Sequence, residues 1–284
     1  MTRILPTIAT LVCLAGCAST PSSVVRETPS RDGTQIEYSV HGSAEPTLVL
    51  VHGWSCDRSY WDEQIAAFRD DYTVITVDLA GHGGSGTARQ AWTIEQFGND
   101  VAAVVRAEGR TGITIVGHSM GGAVVLAAAR KLGTAVTHIV GVDTLQVPTH
   151  GESFGTAAEL WTPFATDFRQ KVAGVVRAKF FRPDADPALV DRIADDMSAA
   201  PPTIAIGAGI GLATYDTEEA LIATRDVPLT LLNAKLQPTD PLAYEKIDRQ
   251  VAITLFPETG HFPMLEDPDA FNTALRAALR RVAN

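Results

Sequence analysis

Ser119 sits in Gly117-His118-Ser119-Met120-Gly121, a Gly-x-Ser-x-Gly pattern with the β-forming run Ile113-Thr114-Ile115-Val116 before it and a helix-forming stretch, Gly122 to Leu132, after it. In that context a sharp strand-to-helix turn lifts the serine hydroxyl above a sheet, where it can attack a carbonyl. The flanking glycines answer the crowding of such a turn, in which a Cβ would meet neighbouring backbone. A serine nucleophile needs a base, and of the seven histidines His261 has the best position for one. It follows the last apolar run, Ala252 to Phe256, on a loop, Gly260-His261-Phe262-Pro263, that can reach the carboxyl edge of the sheet. The others have structural explanations: His41 precedes the core, His52 ends a strand, His82 lies among glycines, His118 adjoins the nucleophile, His138 begins a strand and His150 opens an insertion. Two aspartates stand at the carboxyl ends of strands and can orient an imidazole: Asp143, after Ile139 to Val142, and Asp240, some way beyond Leu229 to Leu232. Serine, histidine and carboxylate together imply acyl transfer to water with no cofactor.

These groups need a scaffold that brings distant strand ends to one edge. The segments Val24 to Thr28 and Gln35 to Val40 flank the turn sequence Arg31-Asp32-Gly33 and predict a leading antiparallel hairpin. The runs Leu48 to Val51, Val74 to Val77, Ile113 to Val116 and Ile139 to Val142 are apolar without alternation, as buried parallel strands are. Helical spacing separates them, notably over Ile94 to Ala107 and Gly122 to Leu132, which predicts an α/β fold: a mostly parallel central sheet with helices on both faces. From about 147 to 226 the pattern turns helical, around Ala157 to Phe181 and Pro187 to Met197, and reads as a cap insertion within one domain spanning 24–284. Strands resume at Leu229 to Leu232 and Ala252 to Phe256, and an amphipathic helix runs from Pro268 to Val282.

At 284 residues and 45% hydrophobic content the chain can bury one large core. Its net charge of -10 and scattered cations argue against nucleic acid as a partner. No cluster of His, Cys and Asp has metal-ligand spacing, and Asp78 with the glycine-rich loop after it lacks the Gly-Lys-Ser/Thr of a phosphate cradle, so that loop reads as structural. At the N-terminus Arg3, the mostly apolar Ile4 to Leu14, and Leu14-Ala15-Gly16 form a signal peptide over 1–16. The Ser/Thr/Pro-rich 17–23 reads as a tether. With Cys13 removed, and Cys17 consumed by the lipidation that a resemblance to bacterial lipoproteins, given next, implies, only Cys56 remains and no intramolecular disulfide is expected.

The segment Leu14-Ala15-Gly16-Cys17 resembles the lipobox of bacterial lipoproteins. That resemblance implies cleavage before Cys17, acylation of its sulfur with palmitate-like chains, and an exported, membrane-anchored protein in the cell envelope. Ala18 in place of an aspartate resembles outer-membrane sorting.

From His52 onward the chain resembles the α/β-hydrolase superfamily in four ordered motifs: His52-Gly53 with Trp61 beyond it, Asp78 to Ser85, the Ser119 turn, and Gly260-His261-Phe262-Pro263. The resemblance implies an oxyanion hole made by the backbone N–H groups of Trp54 and Met120, with the Trp54 indole lining an acyl pocket. In many members the triad acid falls near the position of Gln237 here; in others it ends the strand after the nucleophile helix, an arrangement Asp143 fits directly, so Asp143 is preferred and Asp240 is the alternative. A serine at position 119 distinguishes the chain from the branches that use an aspartate nucleophile. The implied substrates are small or medium apolar carboxylic esters in a pocket framed by cap residues such as Phe154, Leu160, Trp161, Phe164, Phe168, Phe180 and Phe181. Carbon–carbon bond hydrolysis, lactone hydrolysis or perhydrolysis, and a weakly catalytic ligand receptor are the alternatives within the same fold.

Overall fold

Eight strands form a single sheet in the order β1-β2-β4-β3-β5-β6-β7-β8. The computed structural model describes residues 23–148, 159 and 161–282; the leader 1–16, Cys17, all of the tether but Ser23, and Phe154 and Leu160 lie outside the described residues. Strand β1 (Val24–Pro29) pairs antiparallel with β2 (Gln35–His41), the expected hairpin, with Gly33 of its turn at φ 85°. β2 runs antiparallel to β4 (Thr73–Val77), and every later pairing is parallel, through β3 (Thr47–Val51), β5 (Ile113–His118), β6 (Val136–Val142), β7 (Leu229–Ala234) and β8 (Ala252–Phe256).

Alternate residues of each strand face opposite sides, so one strand feeds two cores. Val49 and Val51 pack with α2 (Ile94–Ala107) and α3 (Met120–Leu132), through Phe97, Val101, Val124 and Ala128. Leu48 and Leu50 face Phe68 of α1 (Asp62–Phe68) and the C-terminal helix, through Phe271 and Leu275. Each such side chain, fully buried, contributes roughly 1.5–3 kcal/mol relative to an exposed one. Helix α2 spans the predicted residues because Thr93 caps it, accepting the Gln96 N–H at 3.2 Å, and its apolar residues recur on one face.

Between β6 and β7 the chain leaves the sheet for a helical cap. A short 3-10 turn, Thr162–Ala165, leads to α4 (Phe168–Lys179), α5 (Pro187–Ser198), α6 (Pro202–Ala213) and α7 (Thr217–Ala223). The helical stretch expected up to Phe181 is broken at Asp167, which adopts left-handed φ 52°. Pro187 begins α5 after Asp186, whose side chain caps the Ala188 N–H at 3.0 Å. After β7 come α8 (Pro241–Lys246), then β8, α9 (Pro263–Glu266) and α10 (Pro268–Val282).

Candidate active site

Ser119 stands between the end of β5 and the start of α3 with φ 53° and ψ -120°, a conformation that costs a non-glycine residue about 1–3 kcal/mol. The turn is locked from several sides. A Cβ on Gly121 would lie 2.6 Å from the carbonyl oxygens of both Val51 and His52, and one on Gly117 would meet the Gly121 carbonyl, so both glycines are sterically required. The Ser119 N–H donates to the Val142 carbonyl at 3.0 Å, and the Ser119 carbonyl accepts the Thr144 hydroxyl at 2.7 Å. Met120 opens α3, so its N–H belongs to the first turn of the helix, where backbone donors have no partner within the helix.

His261 donates from Nδ1 to Asp143 Oδ2 at 2.5 Å. A carboxylate only accepts, so Nδ1 carries the proton and Nε2 of the neutral ring keeps its lone pair. Asp143 is held in turn by β7: its Oδ1 accepts the Ala234 N–H at 2.9 Å and its own N–H donates to Leu232 at 3.1 Å. The loop around His261 is pinned on both sides. Its N–H donates to the Phe180 carbonyl at the end of α4 at 2.6 Å, and its carbonyl accepts His118 Nε2 at 2.8 Å. The Glu266 carboxylate accepts the Gly260 and Phe262 N–H groups at 2.8 and 3.0 Å. Burial raises the Glu266 pKa, which those two bonds oppose. Burial, with His261 adding to it, drives His118 well below the ordinary histidine range, so it is a neutral donor.

Ser119, His261 and Asp143 border one cavity of about 300 Å³, whose wall includes Met120, Leu145 and Leu212 as apolar groups and Gln146, Thr217 and Gln237 as polar ones. Asp240 is placed elsewhere in role: it is the N-cap of α8, with its carboxylate accepting the N–H groups of Leu242 and Ala243 at 3.0 and 3.4 Å. The Trp54 indole is anchored by the cap. It turns to the cap, donating to the Ala205 carbonyl at 2.7 Å and packing 5.1 Å from the Trp161 ring, because a half-buried indole N–H finds its acceptor on α6. His52 is structural, as its place at a strand end suggests: Nδ1 lies 2.8 Å from the Gly53 carbonyl, Nε2 accepts the Leu79 N–H at 3.1 Å, and burial pushes its pKa down to about 4. Asp78 is occupied by the Arg58 guanidinium and by the N–H groups of Arg58 and Gly84 at 2.8 and 2.9 Å.

Three supporting residues escaped the sequence reading, Thr144, Asn233 and Glu266, and Phe180, expected to frame the pocket, also holds the His261 N–H through its carbonyl. Asn233 bonds the Thr144 N–H and carbonyl at 3.2 and 2.8 Å and so shapes the turn that carries Asp143. A polar amide in the mostly apolar Leu229 to Ala234 was its visible signal, since a fully buried polar side chain needs partners.

Comparison with known proteins agrees with the fold. A model of the Alpha/beta hydrolase family matches residues 48–274. The chain is 26% identical over 269 residues to 3-oxoadipate enol-lactonase 2 of Acinetobacter baylyi, covering 90% of this chain and 97% of that protein. Its structure is similar to that of a thermophilic esterase from Thermogutta terrifontis, with a TM-score of 0.77, 26% identity, and coverage of 93% of this chain and 100% of that one. An esterase from Rhodococcus sp. is similar at a TM-score of 0.75 and 27% identity, covering 91% of this chain and 99% of that chain.

Proposed function

This chain belongs to the alpha/beta hydrolase family and is a hydrolase, and on that premise we propose that it cleaves carboxylic esters through Ser119, His261 and Asp143. The observation that carries the reading is the 2.5 Å bond from His261 Nδ1 to Asp143, beside the cavity that Ser119 shares. With Nδ1 protonated, Nε2 takes the Ser119 proton as Oγ attacks the carbonyl carbon. The carbonyl oxygen becomes an oxyanion held by the N–H groups of Met120 and Trp54, each contributing about 3–4 kcal/mol in the transition state. Collapse breaks the bond to the alcohol, which leaves with the proton from His261. Water, deprotonated by the same nitrogen, then attacks the acyl-enzyme and releases the acid.

A lactone would be opened by the same steps, with its alcohol retained on the product, and the similarity to an enol-lactonase favours this as the second reading. The test is labelling with a fluorophosphonate beside Ser119→Ala, followed by turnover of p-nitrophenyl esters of increasing chain length. Labelling lost in the variant, with chain-length-dependent turnover, supports the esterase. Labelled protein that opens lactones and spares esters selects the second reading. Unlabelled, folded wild type refutes both and favours a ligand receptor. We propose too that the protein is exported and lipid-anchored through Cys17. Cys17→Ser should then shift it from the membrane to the soluble fraction, and an unchanged distribution would refute the anchor.

A further inference from the structure

Two carboxamides border the cavity beside Ser119, Gln146 half-buried and Gln237 exposed, and the protein itself uses neither. Gln146 follows the turn after β6 and Gln237 follows β7, and among the described residues neither side chain has a hydrogen-bond partner. The backbone of Gln146 is fixed, since its carbonyl accepts the Asp240 N–H at 2.8 Å, so its amide is presented from a constrained position. Met120, Ala123, Leu145 and Leu212 make the rest of the wall largely apolar.

The charge pattern is equally specific. Among the described residues Asp143 is the charged acid in the wall, paired to His261, and no lysine or arginine lines it. A carboxylate brought into this cavity would lose water, meet no cation and approach the Asp143 carboxylate. A neutral oxygen meets two free amide donors instead. The volume, about 300 Å³, lies at the small end of the range of roughly 300–1,000 Å³ for ligand cavities.

We infer that the site selects compact, uncharged acyl compounds carrying a second hydrogen-bonding oxygen, such as an oxo, hydroxy or alkoxycarbonyl group, and turns away acyl groups that end in a carboxylate. The inference rests on the serine-hydrolase reading above, and the two fail separately in the following experiment. Ethyl methyl succinate, ethyl pentanoate and monoethyl succinate are compared by kcat/KM, with fluorophosphonate labelling of Ser119 run in parallel. The neutral diester should exceed ethyl pentanoate by about tenfold, the value of one or two added hydrogen bonds. It should exceed monoethyl succinate by about a hundredfold or more, the cost of an unpaired carboxylate. Gln146→Leu and Gln237→Leu should each lower the diester-to-pentanoate ratio by about threefold or more, and Gln237→Arg should raise turnover of monoethyl succinate about tenfold, as a supplied cation would. Thermal unfolding checks that each variant folds. Labelled protein that hydrolyses monoethyl succinate within tenfold of the diester, keeps its ratio in both leucine variants, or hydrolyses none of the three overturns this inference alone. Folded wild type that does not label overturns the serine-hydrolase reading and this inference with it.

Discussion

Asp143→Asn is the substitution whose outcome follows most directly from the geometry. The wild-type carboxylate accepts at both oxygens, from Ala234 N–H at 2.9 Å and from His261 Nδ1 at 2.5 Å. An asparagine has one accepting oxygen. If it faces Ala234, its NH₂ faces His261 and forces the ring into the tautomer with a proton on Nε2, which cannot take the Ser119 proton. If the amide flips, two N–H donors confront each other at Ala234, at a cost of about 1–3 kcal/mol for a buried unsatisfied group. The first arrangement is favoured, and loss of the working tautomer lowers turnover by about 10⁴, or roughly 5 kcal/mol of transition-state stabilisation. The assay is kcat/KM on a p-nitrophenyl ester, with the melting temperature as a check on folding. Asp240→Asn is the control: asparagine caps a helix about as well as aspartate, so activity and stability should stay near wild type. The reasoning is refuted if Asp143→Asn keeps a tenth of the activity, or if Asp240→Asn loses as much as its counterpart.

Three further outcomes are expected. Gly121→Ala sets a Cβ 2.6 Å from two backbone carbonyl oxygens that cannot yield like a side chain, so urea unfolding should show a loss of about 3 kcal/mol or more, and a loss under 1 kcal/mol would contradict the packing. Gly260→Ala sets a Cβ 2.9 Å from the Phe181 Cα, short of the usual 3.5–4.0 Å, and displaces the His261 loop by a sizeable fraction of an ångström. A shift of that size should lower kcat by up to about 10², and unchanged kcat would show that the cap does not brace the base. Burial holds His138 at about 4, whereas unfolded histidine has its ordinary value near 6.5. The unfolded chain therefore takes up the proton first, and stability is flat above about pH 6.5 and falls between there and about pH 4. His138 accounts for on the order of 3 kcal/mol of that fall. His138→Gln should flatten the curve of urea midpoint against pH, and an unaltered slope would rule His138 out as a contributor.

Much of the fold and part of the site were legible because local rules and tertiary packing agreed there. The buried parallel strands show as unbroken apolar runs, and α2 shows as a capped, amphipathic stretch. The turn around Ser119 shows because the steric demands that fix Gly117 and Gly121 act over a few residues. The cap was less legible: α6 is apolar around most of its surface and interrupted by Gly207, Gly209 and Gly211, so neither period nor propensity marks it as a helix. Choosing between two aspartates was beyond local reading, since both follow strands. What separates them is spatial: Asp143 reaches His261, 118 residues away, while Asp240 turns back on its own helix. The hydrogen-bond partner of the Trp54 indole was hidden for the same reason, because its acceptor, Ala205, is 151 residues distant.

The bond from the His261 N–H to the Phe180 carbonyl constrains anyone who would rebuild this protein by exchanging parts. A cap is an attractive module to swap, since it enters after β6 and returns at β7 with the sheet intact beneath it. Here the graft cannot be chosen on pocket shape alone: its first long helix must end with a free carbonyl where that of Phe180 now stands. A chimaera that ignores this joint would fold, bind its new ligand, and hold a histidine whose main chain lacks a fastening. A graft that ends before Phe180, or re-creates the helix end there, keeps recognition and reactivity as separable parts.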